Sequence, residues 1–535
     1  MTNAADMVII RLKAEGVRWI STLCGNGLDP LFQACCREGI RVVDTHNEQA
    51  AAYMADANAR FTGRLSVCAV SSGIAHCNAL TGLANAYFDG APLLLITGAS
   101  AGYGMGRGAF QEFDQVALAE PICKLSKAVQ SAAELEEVLG EAISAAMTPR
   151  RGPVHLTIPR DVLETEVDLK KPEPFRAKPT DAVAPSLIRE VTREIQEAER
   201  PVLVAGTGLF MSGGQRALLE FSEKMGVPVV VPIWDRGCVE TPHPNFMGVV
   251  GAASGQPRVL EDADLVILAG AAADYRVGYI SPPTITESAR IARIDDDPGL
   301  VGEVTVDFKL LGNPSDILGR LTAEADHGKW IQICRSRVEE FRRPWTSKVT
   351  TGEQMTGRDI VEAIRPLLSE ELILLIDGGN IGQWAHMALA DHYPGRWITC
   401  GASAVVGWGI PGAMAARLAE PDRPILLLSG DGAFGFTVTE LESAARQDLP
   451  FVAVVANDSA WGIVVCGQRE SWGSTVACET CEIRFDRIAE AMGARGVRAV
   501  DPSGIGRAIE RGFSERVPTV IDVPIRVHSP TDAKS

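Results

Sequence analysis

Leu426-Leu-Leu-Ser-Gly-Asp-Gly432 is an apolar run that ends in a Gly-Asp-Gly turn, and Ala456-Asn-Asp-Ser-Ala-Trp-Gly462 closes the next apolar run of the chain. The first run reads as a β-strand, Thr437 to Arg446 as the helix after it, and Phe451 to Ala456 as a second strand. Strand, helix and strand in so short a span form a βαβ unit, with parallel strands and polar turns at their carboxyl ends. That edge sets Asp431, Asp458 and glycine backbone side by side. Carboxylate and carbonyl oxygens suit a divalent cation, with Ala460 offering its carbonyl, and free N–H groups suit a diphosphate. A lone Gly-Asp-Gly reads as a tight turn and a helix cap. The second strand and its terminal Asn457-Asp458 turn the reading toward a cation and a diphosphate.

Outward from this unit the alternation of strand and helix continues. A chain of 535 residues has room for about three domains of roughly 150 residues, and three blocks emerge. The first, residues 1–170, holds helix-like Ala5–Glu15 and Glu48–Thr62 and strand-like Arg41–Val43, Ser66–Val70, Leu93–Thr97 and Val154–Ile158. The stretch Lys170–Pro179, rich in lysine and proline, reads as a linker. The second block, residues 184–325, carries Pro201–Gly208, Val229–Val231, Leu265–Ala269 and Ile291–Asp295. A charged segment, Glu324 to Thr350, leads to the third block, residues 352–535, with Leu372–Ile376, Trp397–Thr399, Pro424–Leu428, Phe451–Ala456 and Thr519–Val523. Short apolar runs between amphipathic helices predict an α/β fold of three doubly wound parallel-sheet domains. The first and third blocks share a rhythm but little identity, which suggests a repeat.

Composition narrows the function classes. With 46% hydrophobic and 22% charged residues, the chain is ordinary globular material. A net charge of −17 argues against a nucleic-acid partner. No segment has the ~18 consecutive apolar residues of a membrane span. Twelve cysteines lack paired metal spacing; the nearest, Cys478-Glu-Thr-Cys481, has no companion pair. Met1-Thr-Asn-Ala-Ala-Asp6 shows no signal pattern, so reduced thiols and a cytoplasmic location are expected.

Further stretches carry chemistry. Thr45-His-Asn-Glu-Gln-Ala opens a helix with Glu48 in its first turn, where the dipole favours a carboxylate. Ser71-Ser-Gly-Ile-Ala-His-Cys-Asn78 follows a strand; His76 in it reads either as a proton shuttle or carboxylate binder, or as a structural hydrogen-bond partner. Gly108-Ala-Phe-Gln-Glu-Phe-Asp-Gln115 is a polar loop bearing Phe110 and Gln111. Asp377-Gly-Gly-Asn-Ile381 ends a strand and offers the N–H groups of Gly379, Asn380 and Ile381 to phosphate oxygens. Gly401-Ala-Ser-Ala-Val-Val-Gly-Trp-Gly-Ile-Pro411 and Leu23-Cys-Gly-Asn-Gly-Leu-Asp-Pro30 are glycine-rich.

In this order these stretches resemble the thiamine-diphosphate enzymes of the acetolactate synthase, benzaldehyde lyase and 2-hydroxyacyl-CoA lyase group, over nearly the whole chain. The resemblance implies a pyrimidine-binding domain, a central Rossmann-like domain and a diphosphate-binding domain. It implies thiamine diphosphate and Mg²⁺, held by Asp431, Asp458 and the Ala460 carbonyl, with Gly430, Gly432 and Ala433 along the diphosphate. The family places asparagine where this chain has Asp458; Asn457 is the ligand if the turn is shifted by one. Glu48 falls on the glutamate that activates the aminopyrimidine, Ser72 and Asn78 lie beside that ring, and Ala404 and Val406 fall in the stretch that cradles it. Gln111 and Phe110 fall at the substrate, with Trp461 and Val464 further along the pocket, and Asn26 near the active centre. In the central domain Gly206-Thr-Gly208 is only a partial nucleotide pattern, so FAD or ADP, present in some members, is not expected.

The implied reaction breaks or forms a carbon–carbon bond beside a carbonyl through an enamine, as a lyase, carboligase or 2-oxo acid decarboxylase acting on a small carbonyl substrate. Gly467 stands where acetolactate synthases carry an acceptor-selecting tryptophan, and no basic cluster announces a CoA phosphate, so the substrate stays open. The family shares its active sites across a homodimer or homotetramer. Two other classes compete: a non-catalytic subunit of this fold, against which Glu48 and the metal positions argue, and a flavin-dependent 2-oxo acid oxidoreductase.

Overall fold

The computed structural model describes residues 2–169, 171–176, 183–235, 238–239, 243–299, 306–346, 354–389 and 396–528. Parts of the expected linker (170 and 177–179), of the charged segment (347–350) and of the third block (352–353, 390–395 and 529–535) lie outside them.

Among the described residues eighteen strands build three six-stranded sheets, every pairing parallel. The first contains β1 (Trp19–Leu23), β2 (Arg41–Asp44), β3 (Ser66–Val70), β4 (Leu93–Ala99), β5 (Leu125–Ala128) and β6 (Val154–Pro159), in the order β2-β1-β3-β4-β6-β5. The second contains β7 (Pro201–Ala205), β8 (Val229–Pro232), β9 (Phe246–Val250), β10 (Leu265–Ala269), β11 (Arg290–Asp295) and β12 (Phe308–Leu311), in the order β12-β11-β10-β7-β8-β9. The third contains β13 (Ile373–Asp377), β14 (Arg396–Thr399), β15 (Ile425–Gly430), β16 (Val452–Asn457), β17 (Arg495–Arg498) and β18 (Thr519–Pro524), in the order β14-β13-β15-β16-β18-β17. The expected α/β class with three parallel sheets is what the chain adopts. The first and third sheets share one connectivity, and the central sheet has the dinucleotide-fold order.

Central strands such as β15, with Ile425 to Leu428 in an unbroken apolar run, are apolar over most of their length because helices cover both faces of a parallel sheet. Two apolar layers flank the first sheet and two flank the second, while Leu374, Leu426, Val454 and Ile521 anchor the core of the third. Compactness groups residues 1–178, 410–422 and 437–450 as one unit and the remainder as another.

Two local expectations need correction. Gly430-Asp431-Gly432 is not a free turn: β15 runs through Gly430, and a helix, Asp431–Phe436, starts at the next residue. The helix expected from Thr437 to Arg446 begins only at Glu440, because Thr437 to Thr439 break between two short helices. The charged segment is largely a helix, Gly328–Thr346, which buries Trp330, Ile331, Cys334 and Trp345 on one side. No helix among the described residues is long and apolar enough to cross a membrane.

Candidate active site

Strand order reverses between β13 and β15, and a parallel sheet opens a crevice at such a point, beyond the carboxyl ends of its strands. A cavity of about 270 Å³ lies there, walled by Gly379, Asn380, Ile381, Ala404, Val406, Gly430, Asp431, Gly432, Ala433, Asp458, Ala460, Trp461 and Val464. The loops after β13, β15 and β16 and the stretch after β14 therefore converge on one space. Gly378 adopts φ +104° and turns β13 directly into the helix Gly379–Ala388, whose first N–H groups stand at the cavity. A Cβ on Gly432 would sit 2.7 Å from the Trp461 ring, so only glycine lets that ring close over the helix start. Ala404 is held at φ +54°, a conformation disfavoured for alanine, two residues before Val406.

Asp431 and Asp458 are the charged groups of this wall. Burial raises both carboxyls, and the neighbouring Asp458 charge raises Asp431 further. No lysine or arginine lines the cavity among the described residues. Two close carboxylates without a basic partner, next to helix-start N–H groups, fit a divalent cation that a diphosphate also ligates. Asn457 is turned away: its Nδ2 donates to the Ile483 carbonyl at 2.7 Å and to Asp522 Oδ1 at 2.8 Å. Asn380 Nδ2 lies 3.2 Å from the His528 carbonyl and 3.5 Å from Asp458 Oδ2.

The first sheet gathers the other candidates. The helix Glu48–Thr62 starts at Asn47, whose side chain accepts the Gln49 N–H at 2.7 Å, and this places Glu48 in the first turn. Glu48 is 9% exposed and accepts Asn78 Nδ2 at 2.9 Å. Asn26 is exposed, and its carbonyl accepts Ser71 Oγ at 2.8 Å. Ser72, Phe110 and Gln111 line a second cavity of about 340 Å³, where Ser72 Oγ is buried without a hydrogen-bond partner among the described residues. Gln111 has φ +53° and packs over Gly73.

His76 is not among that cavity's lining. It is fully buried, its Nδ1 lies 3.1 Å from Thr97 Oγ1, and its ring sits 4.7 Å from that of His155. Burial lowers its pKa to about 4 and, with the His76 charge, holds His155 well below the usual range. This surrounding of Thr97, Ser126 and Thr157 hydroxyls favours the structural reading over the proton shuttle. A pH effect follows. Above the unfolded value of about 6.5 both states are neutral; below it the unfolded chain takes up protons that folded His76 refuses until about pH 4. Stability is thus lost as pH falls through that window. Between about pH 7.5 and about pH 5, His76→Asn is expected to lose roughly 2 kcal/mol less than the parent in urea unfolding. Equal losses would remove His76 from the acid response.

Two residues of the quoted stretches have roles that the sequence does not announce. Gln115 Oε1 accepts the Gly73 N–H at 2.7 Å and its Nε2 donates to Thr157 Oγ1 at 3.1 Å, tying the Gln111 loop to the Ser72 turn. Asp377, buried and raised to about 7, accepts the Gly409 N–H at 2.7 Å and fixes the end of the Gly401–Gly409 stretch. Glutamine at a helix start and aspartate at a strand end are too common to stand out in one sequence.

Three family models match this chain, described as the N-terminal, central and C-terminal domains of thiamine pyrophosphate enzymes, over residues 2–118, 188–321 and 377–523. The chain is 28% identical to a probable acetolactate synthase large subunit of Methanococcus aeolicus, covering 98% of this chain and 92% of that protein. It is 28% identical to 2-hydroxyacyl-CoA lyase 2 of Homo sapiens, covering 92% of this chain and 85% of that one. The acetolactate synthase large subunit of Lactococcus lactis is also 28% identical, with 98% and 92% covered.

Proposed function

The chain belongs to the thiamine pyrophosphate enzyme family and is an enzyme of carbon–carbon bond chemistry, and from that premise we propose a Mg²⁺-dependent lyase, carboligase or 2-oxo acid decarboxylase for a small carbonyl substrate. Thiamine diphosphate, when bound, supplies a nucleophilic carbon and a ring that accepts the electron pair of the breaking bond. The observation that carries the reading is the convergence of separate loops on one cavity with two carboxylates and, among the described residues, no basic side chain.

Asp431, Asp458 and the Ala460 carbonyl would hold the cation, and the Gly379–Ile381 N–H groups with Gly430, Gly432 and Ala433 would hold the diphosphate. Ala404 and Val406 would wall the ring. The Glu48 carboxylate, oriented by Asn78, would hold a proton shared with the aminopyrimidine, and Ser72 would stand beside that ring. Gln111 and Phe110 would face the substrate from the second cavity, with Asn26 near the active centre, and Trp461 and Val464 would be pocket residues of the first cavity. The active species in this reading is a homodimer or homotetramer.

The test is a screen of 2-oxo acids, 2-hydroxy ketones and 2-hydroxyacyl thioesters against size-separated protein, read by mass spectrometry. Turnover is expected for one class, only with thiamine diphosphate and Mg²⁺ together, and only in fractions of dimer size or larger. Turnover without the cofactor would sink the proposal, and activity in a monomer would sink its oligomeric part.

A further inference from the structure

The turn that leads into Glu48 is gripped by a helix from far along the chain. The helix Glu440–Arg446 belongs to the same compact unit as residues 1–178. Glu440 is fully buried, and both of its carboxylate oxygens lie 3.0 Å from the His46 backbone nitrogen, whose N–H they accept. One turn on, Ser443 Oγ lies 3.0 Å from His46 Nδ1. At the rim Arg446 makes a two-point pair with Asp44 at 3.0 and 2.8 Å, and Gln447 Nε2 donates to the Asp44 carbonyl at 2.8 Å. On the opposite side the Thr45 N–H donates to the Thr22 carbonyl at 2.8 Å, and Thr45 Oγ1 donates to the Asn47 carbonyl at 2.8 Å.

The rim contacts from Arg446 and Gln447 already tie this helix to Asp44. A fully buried carboxylate adds a desolvation cost that an apolar side chain would avoid. What it returns is a charge-assisted hydrogen bond to the backbone N–H two residues before Glu48, with the Ser443 hydroxyl and the His46 ring beside the same carboxylate. A carboxylate that has to meet a ring nitrogen within a few tenths of an ångström needs its helix start held that firmly. We infer that Glu440 is a positioning residue for Glu48: it fixes the His46 backbone, and through it the first turn from which Glu48 projects. This rests on the reading of Glu48 as the group that meets the cofactor.

The test is a double-mutant cycle on the holoenzyme, read as exchange of the thiazolium C2 proton of bound thiamine diphosphate into D₂O. Glu440→Ala is expected to slow exchange by about 10- to 100-fold with cofactor affinity little changed. Glu440→Gln, whose amide oxygen still accepts the His46 N–H, should restore most of the rate. In a Glu48→Gln background Glu440→Ala should slow exchange no further, because both changes act through one group. If Glu440→Ala does not fold, Glu440→Asp, which draws the carboxylate back by one methylene, takes its place in the cycle. Additive slowing overturns the inference. So does parental exchange in Glu440→Ala when Glu48→Gln alone is slow. Parental exchange in Glu48→Gln overturns the reading of Glu48 itself, and this inference with it.

Discussion

Glu48→Gln is expected to lower turnover of any accepted substrate by roughly 10³-fold, the scale of a lost acid–base contact, while leaving the fold intact. Gln keeps the volume of glutamate, and its side-chain oxygen still accepts the Asn78 amide that Glu48 accepts at 2.9 Å. Its place in the first turn loses only the favourable charge at a helix start, roughly 0.3–1 kcal/mol. What disappears is the negative oxygen that can hold and release a proton. The split therefore separates the two readings of this residue. A helix-start glutamate predicts a small stability change and full activity. A proton-holding glutamate predicts the same small stability change and a collapse of kcat. Parental kcat in the variant removes Glu48 from the chemistry.

The two readings could not be separated in the sequence without the neighbouring motifs, and the same holds for much of the fold. Central strands were legible because burial on both faces makes them continuous apolar runs, as in Leu426–Leu428 and Leu265–Ala269. The strands that escaped notice were β1, β5, β9, β12 and β17, and all but β1 are sheet edges. An edge has one open flank, so β12 alternates buried and exposed residues over four positions and β17 is only half-buried. β1 is central but carries Ser21 and Thr22, whose hydroxyls donate to the Ala51 and Ala69 carbonyls at 2.6 Å each. Those bonds are made by partners 30 and 47 residues away, which no local pattern reveals.

The candidate site was legible for a different reason. Phosphate and cation binding use backbone and small residues at strand ends, so Gly378–Gly379 and Gly430–Gly432 announce themselves in order along the chain. Side chains that act by holding a distant backbone N–H leave no such mark. Gln115, Asp377 and Glu440 each work across a distance in sequence, by bonds to Gly73, Gly409 and His46.

The residue proposed as metal ligand after β16 is the sharpest departure from the family pattern, and Asp458→Ala is expected to weaken thiamine diphosphate binding in the presence of Mg²⁺ by roughly 100-fold or more. Asp458 lines the cavity with Asp431, whereas Asn457 spends its amide on the Ile483 carbonyl and on Asp522 of β18. Asn457→Ala should therefore act on stability, by roughly 1–3 kcal/mol for the buried partners it strands, and change cofactor affinity little. Asp458→Asn restores the residue the family uses. It keeps one oxygen for the cation but removes one of two close negative charges, so binding of the complete cofactor should survive. Affinity for Mg²⁺ alone, which depends on the carboxylate pair more than on the diphosphate, should fall by roughly 10-fold or more. Calorimetry with metal alone and with metal plus cofactor distinguishes the three variants. Unchanged cofactor affinity in Asp458→Ala, with a large loss in Asn457→Ala, would move the ligand by one residue and require the turn after β16 to rotate its amide out of the sheet.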